Sequence, residues 1–383
     1  MNETIEPFLL AIAQHELDEL RDRLVRTRWP EREPLNELND WSQGAPLERV
    51  KSLCEYWRTR YDWRRCEAML NGWGQYRTSI DGLGIHFLHI RSHEPDALPL
   101  IMTHGWPGSV IEFNKVIGPL TDPVSYGGSA RDAFHLILPS LPGYGFSDKP
   151  AVTGWGIKRI ADAWIVLMDR LGYARYGAQG GDWGAPIAKA IGKRRPPGCV
   201  GIHINIPLIL PSPQEIADAS PKEREYLDTM RDFHEHESGY GIQQSTRPQT
   251  LGYALADSPV GQAAWIYEKF QAWSDVAALP GQAFTLDEML DNIMLYWLTN
   301  SGASSARLYR ESWAEAFVSE TLTLPVGVSI FPREKFLATR RWAERYFRNI
   351  VHWSELERGG HFAAFEQPTL FVTEVRSSFR SLR

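Results

Sequence analysis

Apolar residues at Leu17, Leu20 and Leu24, and again at Val50, Leu53, Cys54 and Trp57, recur at the three- and four-residue spacing of amphipathic helices. Pro30, Pro34 and Pro46 break the helices between them, because proline lacks the N–H that a helix interior uses. From residue 85 the pattern changes. Short β-type runs at 85–90, 98–102, 134–138 and 199–204 are separated by helical or loop segments, the pattern of a mostly parallel sheet. Between residues 211 and 321 no strand pattern occurs, and 215–237 and 263–273 read as helices rich in charge or aromatics. β-type text returns at 326–331 and 349–353. The prediction is an α/β protein in four stretches: an N-terminal helical extension over 1–75, the first part of a core over 76–210, a helical cap inserted over 211–321, and the second part of the core over 322–383. Gly143-Tyr144-Gly145 is read as a turn, since no third glycine completes a dinucleotide-binding loop.

One turn in this core carries chemistry. Ile157, Ile160, Ala161, Trp164, Leu167, Met168 and Leu171 repeat at helical spacing and Gly172 stops the helix. A short strand follows, then Gly180-Gly181-Asp182-Trp183-Gly184, then a second helix over 183–193 in which Pro186 is tolerable only in the first turn. In a nucleophile elbow the attacking residue sits on a strained strand-to-helix turn with small neighbours, and serine usually occupies it. An aspartate there attacks saturated carbon and forms an alkyl ester that water must open. A glycine-flanked aspartate by itself also suits an ordinary turn or helix cap. Two further motifs favour the chemical reading. His104-Gly105-Trp106-Pro107-Gly108 follows the apolar run 98–102 as an oxyanion loop would, which nominates the backbone amides of Trp106 and Trp183 as donors. Gly359-Gly360-His361-Phe362 puts a histidine late in the chain, where the base of a nucleophile–acid–histidine order belongs.

Composition narrows the class. At 383 residues the chain exceeds the ~250 to 300 at which one core stops growing, so an added module is expected. A hydrophobic content of 43%, a charged content of 23% and 15 tryptophans argue for a packed globule rather than disorder. The net charge of −6 gives no reason to expect nucleic acid, and Lys193-Arg194-Arg195 reads as a solvated helix end. Cys54, Cys66 and Cys199 are odd in number and form no Cys-x-x-Cys pair, which fits neither a disulfide framework nor a zinc site and suits a reducing cytosol. No apolar run approaches the ~20 residues of a membrane helix, and the N-terminus has no signal-peptide pattern. A soluble, cytoplasmic protein is expected.

Taken together, these motifs resemble those of α/β-hydrolase-fold epoxide hydrolases of the microsomal type, over nearly the whole chain. Arg26-Thr27-Arg28-Trp29-Pro30 and Trp41-Ser42 look like that family's N-terminal domain, and the three glycine-rich motifs, the last extended through Ala363-Ala364-Phe365-Glu366, are similar to its signatures. Microsomal members begin with a membrane anchor and this chain does not, so it is similar to the soluble bacterial relatives. The resemblance implies Glu334, in Phe331-Pro332-Arg333-Glu334-Lys335, as the acid partner of His361. Its bland reading is a surface ion pair with Arg333 or Lys335, and Glu355, Glu357 and Glu366 are the alternatives. The resemblance also implies Tyr240 and Tyr309 as the proton donors to the epoxide oxygen, with Tyr267 as an impostor; otherwise both would read as partly buried aromatics.

The implied reaction is hydrolysis of an epoxide to a vicinal diol through a hydroxyalkyl ester on Asp182. His361, oriented by Glu334, activates the water, and neither a metal nor an organic cofactor is called for. The expected partner is a small-molecule epoxide, with no nucleic acid and no membrane, and a homodimer is compatible with the sequence. Two rivals remain open here. A haloalkane dehalogenase uses the same ester logic but needs N–H donors for halide, and an α/β-hydrolase scaffold can serve as a non-catalytic ligand receptor. The absence of Gly-x-Ser-x-Gly argues against a serine esterase.

Overall fold

The computed structural model describes residues 3–34, 40–275 and 283–383. Among them a nine-stranded sheet runs in the order β1-β2-β3-β5-β4-β6-β7-β8-β9. Its strands are β1 (Glu6–Phe8), β2 (Gln75–Ile80), β3 (Leu83–Ile90), β4 (Leu98–Thr103), β5 (Phe134–Pro139), β6 (Tyr176–Gly180), β7 (Cys199–Ile204), β8 (Val326–Ile330) and β9 (Ile350–Glu355). The first three are antiparallel to their neighbours, and from β5 to β9 every pairing is parallel. Parallel strands need both faces covered. Every residue of β4, β6 and β8 is buried, and the helices Ile157–Arg170 and Gly184–Arg194 pack on each other, as do Asn114–Thr121 and Pro368–Phe379. Gly172, at φ +77°, ends the first of these helices, with the Tyr173 amide bonded back to the Met168 carbonyl as a Schellman cap requires.

The strand order places the chemistry. After β4 the chain builds β5 on one side, then crosses to lay β6 on the other, so the carboxyl ends of β4 and β6 flank the topological switch point where open α/β sheets bind ligands. Thr103 of β4 is in register with Gly180 of β6. The loop starting at His104 and the turn at Asp182 therefore leave the sheet side by side.

Two expectations change. The N-terminal stretch is not wholly helical: Glu6–Phe8 forms the edge strand β1, with Pro7 tolerated because an edge strand has one unpaired side. Three residues are too few to display a period of two. The single helix expected over 215–237 is instead Pro213–Ala217, Pro221–Asp232 and a π-helical turn Phe233–Glu237. Ser212 and Ser220 each start a helix with a capping box to Glu215 and Glu223, and each is followed by a proline at the first helical position, which restarts rather than continues the chain of hydrogen bonds.

The N-terminal helices Leu47–Thr59 and Trp63–Gly72 dock on the helix Leu286–Leu298. Tyr61 Oη and Arg65 Nη2 each donate to the buried Asp291 at 2.7 Å, and Trp57 Nε1 meets Met294 Sδ at 3.3 Å. Leu53, Trp57 and Trp63 are buried. At about 1.5–3 kcal/mol for each apolar side chain taken out of water, this interface rivals the ~5–15 kcal/mol that stabilises a whole domain. Deleting residues 1–74 is therefore expected to give insoluble or dye-binding, inactive protein. A monodisperse, fully active truncation on size-exclusion chromatography would show the segment to be dispensable.

Candidate active site

Asp182 stands at φ +44°, a left-handed conformation that side chains rarely adopt and that marks a strained turn. The turn closes only because its neighbours lack side chains. A Cβ on Gly180 would lie 2.0 Å from the Gly184 carbonyl oxygen, and one on Gly184 2.0 Å from that of Thr103. Asp182 Oδ1 accepts the Trp106 amide at 2.8 Å. Trp183 follows directly as the N-cap of the helix Gly184–Arg194. The loop that offers Trp106 is pinned from below by His104. The Leu141 amide donates to its Nε2 at 3.3 Å, so the ring proton sits on Nδ1 and is given to the Gly105 carbonyl at 3.0 Å. Burial pulls this imidazole down to about 4, which keeps it neutral. From the other side Asn292 and Tyr296 donate to the Pro107 and Gly108 carbonyls, both at 2.7 Å.

His361 reaches this turn from the C-terminal region. Its Nε2 lies 3.3 Å from Asp182 Oδ2 and its Nδ1 2.9 Å from Glu334 Oε2. Glu334 is 2% exposed, and its Oε1 accepts the Lys335 amide at 2.6 Å. The imidazole's affinity for its proton is set by opposed causes: burial lowers it, while the charge of Glu334 and the hydrogen bonds that Asp182 and Glu334 accept from the ring raise it. The net is well above the ordinary histidine value. The alternative acids lie elsewhere. Glu355 is an exposed strand end paired with Lys222, and Glu357 is exposed. Glu366 accepts the Asp275 amide at 2.8 Å beneath the histidine loop rather than facing Nδ1.

Tyr240, in the helix Gly239–Thr246, and Tyr309, in Gly302–Ala316, converge from two packed helices of the segment between β7 and β8. Their rings are 5.8 Å apart. Trp106 stacks on Tyr240 at 5.0 Å, and Trp183 meets Tyr309 edge-on at 4.8 Å. Both phenols are held well above the usual tyrosine value, first by burial and then by neighbouring groups, Asp182 among them, so both stay protonated and able to donate. Tyr267 packs edge-on against Trp41 at 5.3 Å and does not line the cavity.

Asp182, Trp183, Tyr240, Tyr309, Glu334 and His361 line one cavity. Sequence reasoning missed its apolar wall, which includes Phe233, Trp313, Phe317 and Phe336. It also missed Lys269, a buried cation 4.7 Å from the Tyr240 ring centre. These residues come from separate elements and share no local pattern, so only the fold collects them.

A mostly parallel sheet, a strained carboxylate at the strand-to-helix elbow, and a histidine–carboxylate pair in contact with it define an α/β-hydrolase fold. The family described as the alpha/beta hydrolase fold matches residues 99–233, and that described as the epoxide hydrolase N terminus matches residues 5–113. A Stigmatella aurantiaca protein whose name places it among epoxide hydrolases is 58% identical over 99% of this chain and 86% of its own. Epoxide hydrolase 1 of Sus scrofa is 34% identical over 98% of this chain and 88% of its own. Among solved structures, the juvenile hormone epoxide hydrolase of Bombyx mori superposes with a TM-score of 0.91 at 32% identity, over 100% of this chain and 95% of that one. The Aspergillus niger epoxide hydrolase gives 0.89 at 30%, over 100% and 98%. The chain belongs to the epoxide hydrolase family.

Proposed function

We propose that this protein hydrolyses epoxides to vicinal diols in two covalent steps. The observation that carries the reading is the unbroken contact line Glu334–His361–Asp182 facing two buried phenols. Asp182 attacks an epoxide carbon while Tyr240 and Tyr309 donate to the oxygen, which would otherwise leave carbon as a bare alkoxide. The ester this forms is neutral. One of the two carboxylates that hold His361 protonated thereby disappears, and the imidazole becomes free to take a proton from water. Water adds to the ester carbonyl, the amides of Trp106 and Trp183 hold the oxyanion at ~3–4 kcal/mol per donor, and the diol leaves. The aromatic wall suits uncharged aryl or alkyl epoxides.

The division into an extension over 1–75, a core over 76–210 and 322–383 and a cap over 211–321 is part of this reading. It is supported by the run of helices from Pro213 to Ala316 between β7 and β8. No helix among the described residues is long and apolar enough to cross a membrane. We assign the protein to the cytoplasm because its three cysteines are buried free thiols, which suit a reducing compartment.

Glu334→Gln tests the acid assignment. Loss of its charge is expected to slow ester hydrolysis by about tenfold to 10²-fold while sparing ester formation. The acidic limb of the hydrolytic step should move to lower pH, since Glu334 strengthens the imidazole's hold on its proton. An unchanged hydrolytic rate, with loss in Glu355→Gln instead, would overturn it.

A further inference from the structure

The helix Pro259–Trp273 carries a buried ammonium group. Lys269 is 5% exposed, and it shares one face of that helix with Trp273, four residues on. Its Nζ stands 4.7 Å from the ring centre of Tyr240 and 5.5 Å from that of Trp273, and these two rings meet edge-on at 5.0 Å. Its ion-pair partner is its chain neighbour Glu268, whose side chain is 25% exposed. Trp265 Nε1 donates to Gln244 Oε1 at 3.1 Å and ties this helix to Gly239–Thr246, which bears Tyr240. Tyr240 and Trp273 line the cavity, whereas Lys269 stands behind them. A lysine stem commonly covers apolar surface while its charge reaches water. Here the charge is buried as well, which destabilises the fold more than an apolar side chain of the same length would.

Negative charge moves during ester formation in the covalent reading above, on which the following rests. It starts on the Asp182 carboxylate. As an Asp182 oxygen bonds to the epoxide carbon, the carbon–oxygen bond breaks and its electron pair goes to the epoxide oxygen, which takes the hydrogen of a phenol. The ester is neutral, and the charge now rests on the phenol oxygen and its ring. Hydrolysis restores the balance: water leaves one hydrogen, through His361, on the diol, and its other hydrogen, on the regenerated Asp182 carboxyl group, replaces the one the phenol gave. We infer that Lys269 is a positioning residue for this step: its ammonium, held over the Tyr240 ring, favours the charge that arrives there and makes Tyr240 the stronger donor of the two phenols.

Tyr240 is where a cation has most to offset. Burial, and then the charges of Asp182, Glu334 and Glu237, oppose negative charge on this phenol. Tyr309 packs instead against Trp183 and Trp313, with ring centres 4.8 and 5.5 Å away. A cation over an aromatic face is attracted to its electron density, and more strongly once the ring bears charge, so the contact strengthens between ground state and transition state.

Single-turnover reactions with styrene oxide, with mass detection of the Asp182 ester, read both steps in Lys269→Met and Lys269→Arg. Methionine keeps an unbranched stem without the charge, and arginine restores a cation that stacks on aromatic faces. Ester formation should slow by about three- to tenfold with methionine and recover most of that loss with arginine, while ester hydrolysis keeps its wild-type rate in both. In a Tyr240→Phe background methionine should add nothing, and in a Tyr309→Phe background it should have at least its full effect, because the cation acts through one phenol. Unchanged ester formation in a folded methionine variant overturns the inference. So does an equal loss with and without the Tyr240 hydroxyl, which would make Lys269 a packing residue. Should the methionine variant not fold, Glu268→Gln takes its place: with the neighbouring carboxylate gone, ester formation should rise by about twofold, and an unchanged or slower step overturns the inference. Absence of any ester in His361→Gln, which keeps Lys269, would instead sink the covalent reading and this inference with it.

Discussion

Mixed with a reactive epoxide, the His361→Gln variant is expected to gain the mass of one substrate molecule on Asp182 and to release almost no diol. The geometry separates the two half-reactions by the atoms they use. Ester formation needs the Asp182 carboxylate, whose Oδ1 is aligned by the Trp106 amide at 2.8 Å, and the two phenols. None of these is His361. Ester hydrolysis needs a base within reach of a water at Cγ, and Nε2, 3.3 Å from Oδ2, is the nitrogen placed there. Glutamine can hydrogen-bond but cannot take the proton, so hydrolysis should fall by ~10²- to 10⁴-fold. Peptide mapping of the adduct checks its site. In one turnover of the wild type in heavy-oxygen water, label should enter Asp182 and not the diol, because water attacks the carboxyl carbon. Label in first-turnover diol would mean that water attacks the epoxide directly, and the histidine would then be acting in a one-step mechanism.

How far the sequence exposes this site depends on how local each signal is. Asp182 and His361 are legible because their positions demand glycine neighbours: the elbow excludes Cβ atoms at 180 and 184 by contacts of about 2 Å, and Gly359 stands at φ +105°. Such steric demands leave marks in the text of the chain. Glu334 carries a weaker mark, the end of an apolar strand, and its geometry distinguishes it from Glu366 only through the 2.9 Å contact to Nδ1. The strands of the parallel core are legible as apolar runs for the same reason that they are buried on both faces. The strand β1 is not, since three edge residues bury too little to impose a pattern. Nor is the break at Ser220, whose capping signal looks like surface polarity until the carboxylate of Glu223 is seen returning to the Ser220 amide at 2.9 Å. Tyr240 and Tyr309 are two of 14 tyrosines, and periodicity marks neither. What singles them out is convergence of two helices distant in sequence.

The double variant Tyr240→Phe, Tyr309→Phe tests that convergence and separates epoxide opening from halide displacement. An epoxide oxygen leaves carbon as a developing alkoxide, so a donor in the transition state lowers the barrier, whereas halide leaves as a stable anion and needs no proton. Both phenols are buried beside the Asp182 carboxylate and hold their protons tightly. Their rings stand 5.8 Å apart, so the two sites are close enough to couple. Losing one leaves a single donor in place, and a partial loss of about tenfold is expected in each single variant. Losing both removes every hydroxyl donor of the pair, and ester formation should fall by ~10²- to 10⁴-fold, with the two losses coupled rather than additive. The phenyl rings keep the contacts with Trp106 and Trp183, so thermal unfolding should change little beside that loss. Burst kinetics of ester formation in the wild type, the two single variants and the double variant read this directly, alongside halide release from a 1-haloalkane, which the wild type should not catalyse. A double variant that still forms the ester at the wild-type rate would mean that the oxygen takes its proton from elsewhere. Halide release without diol formation would move the chain to the dehalogenases, and tight ligand binding with neither product would make it a receptor.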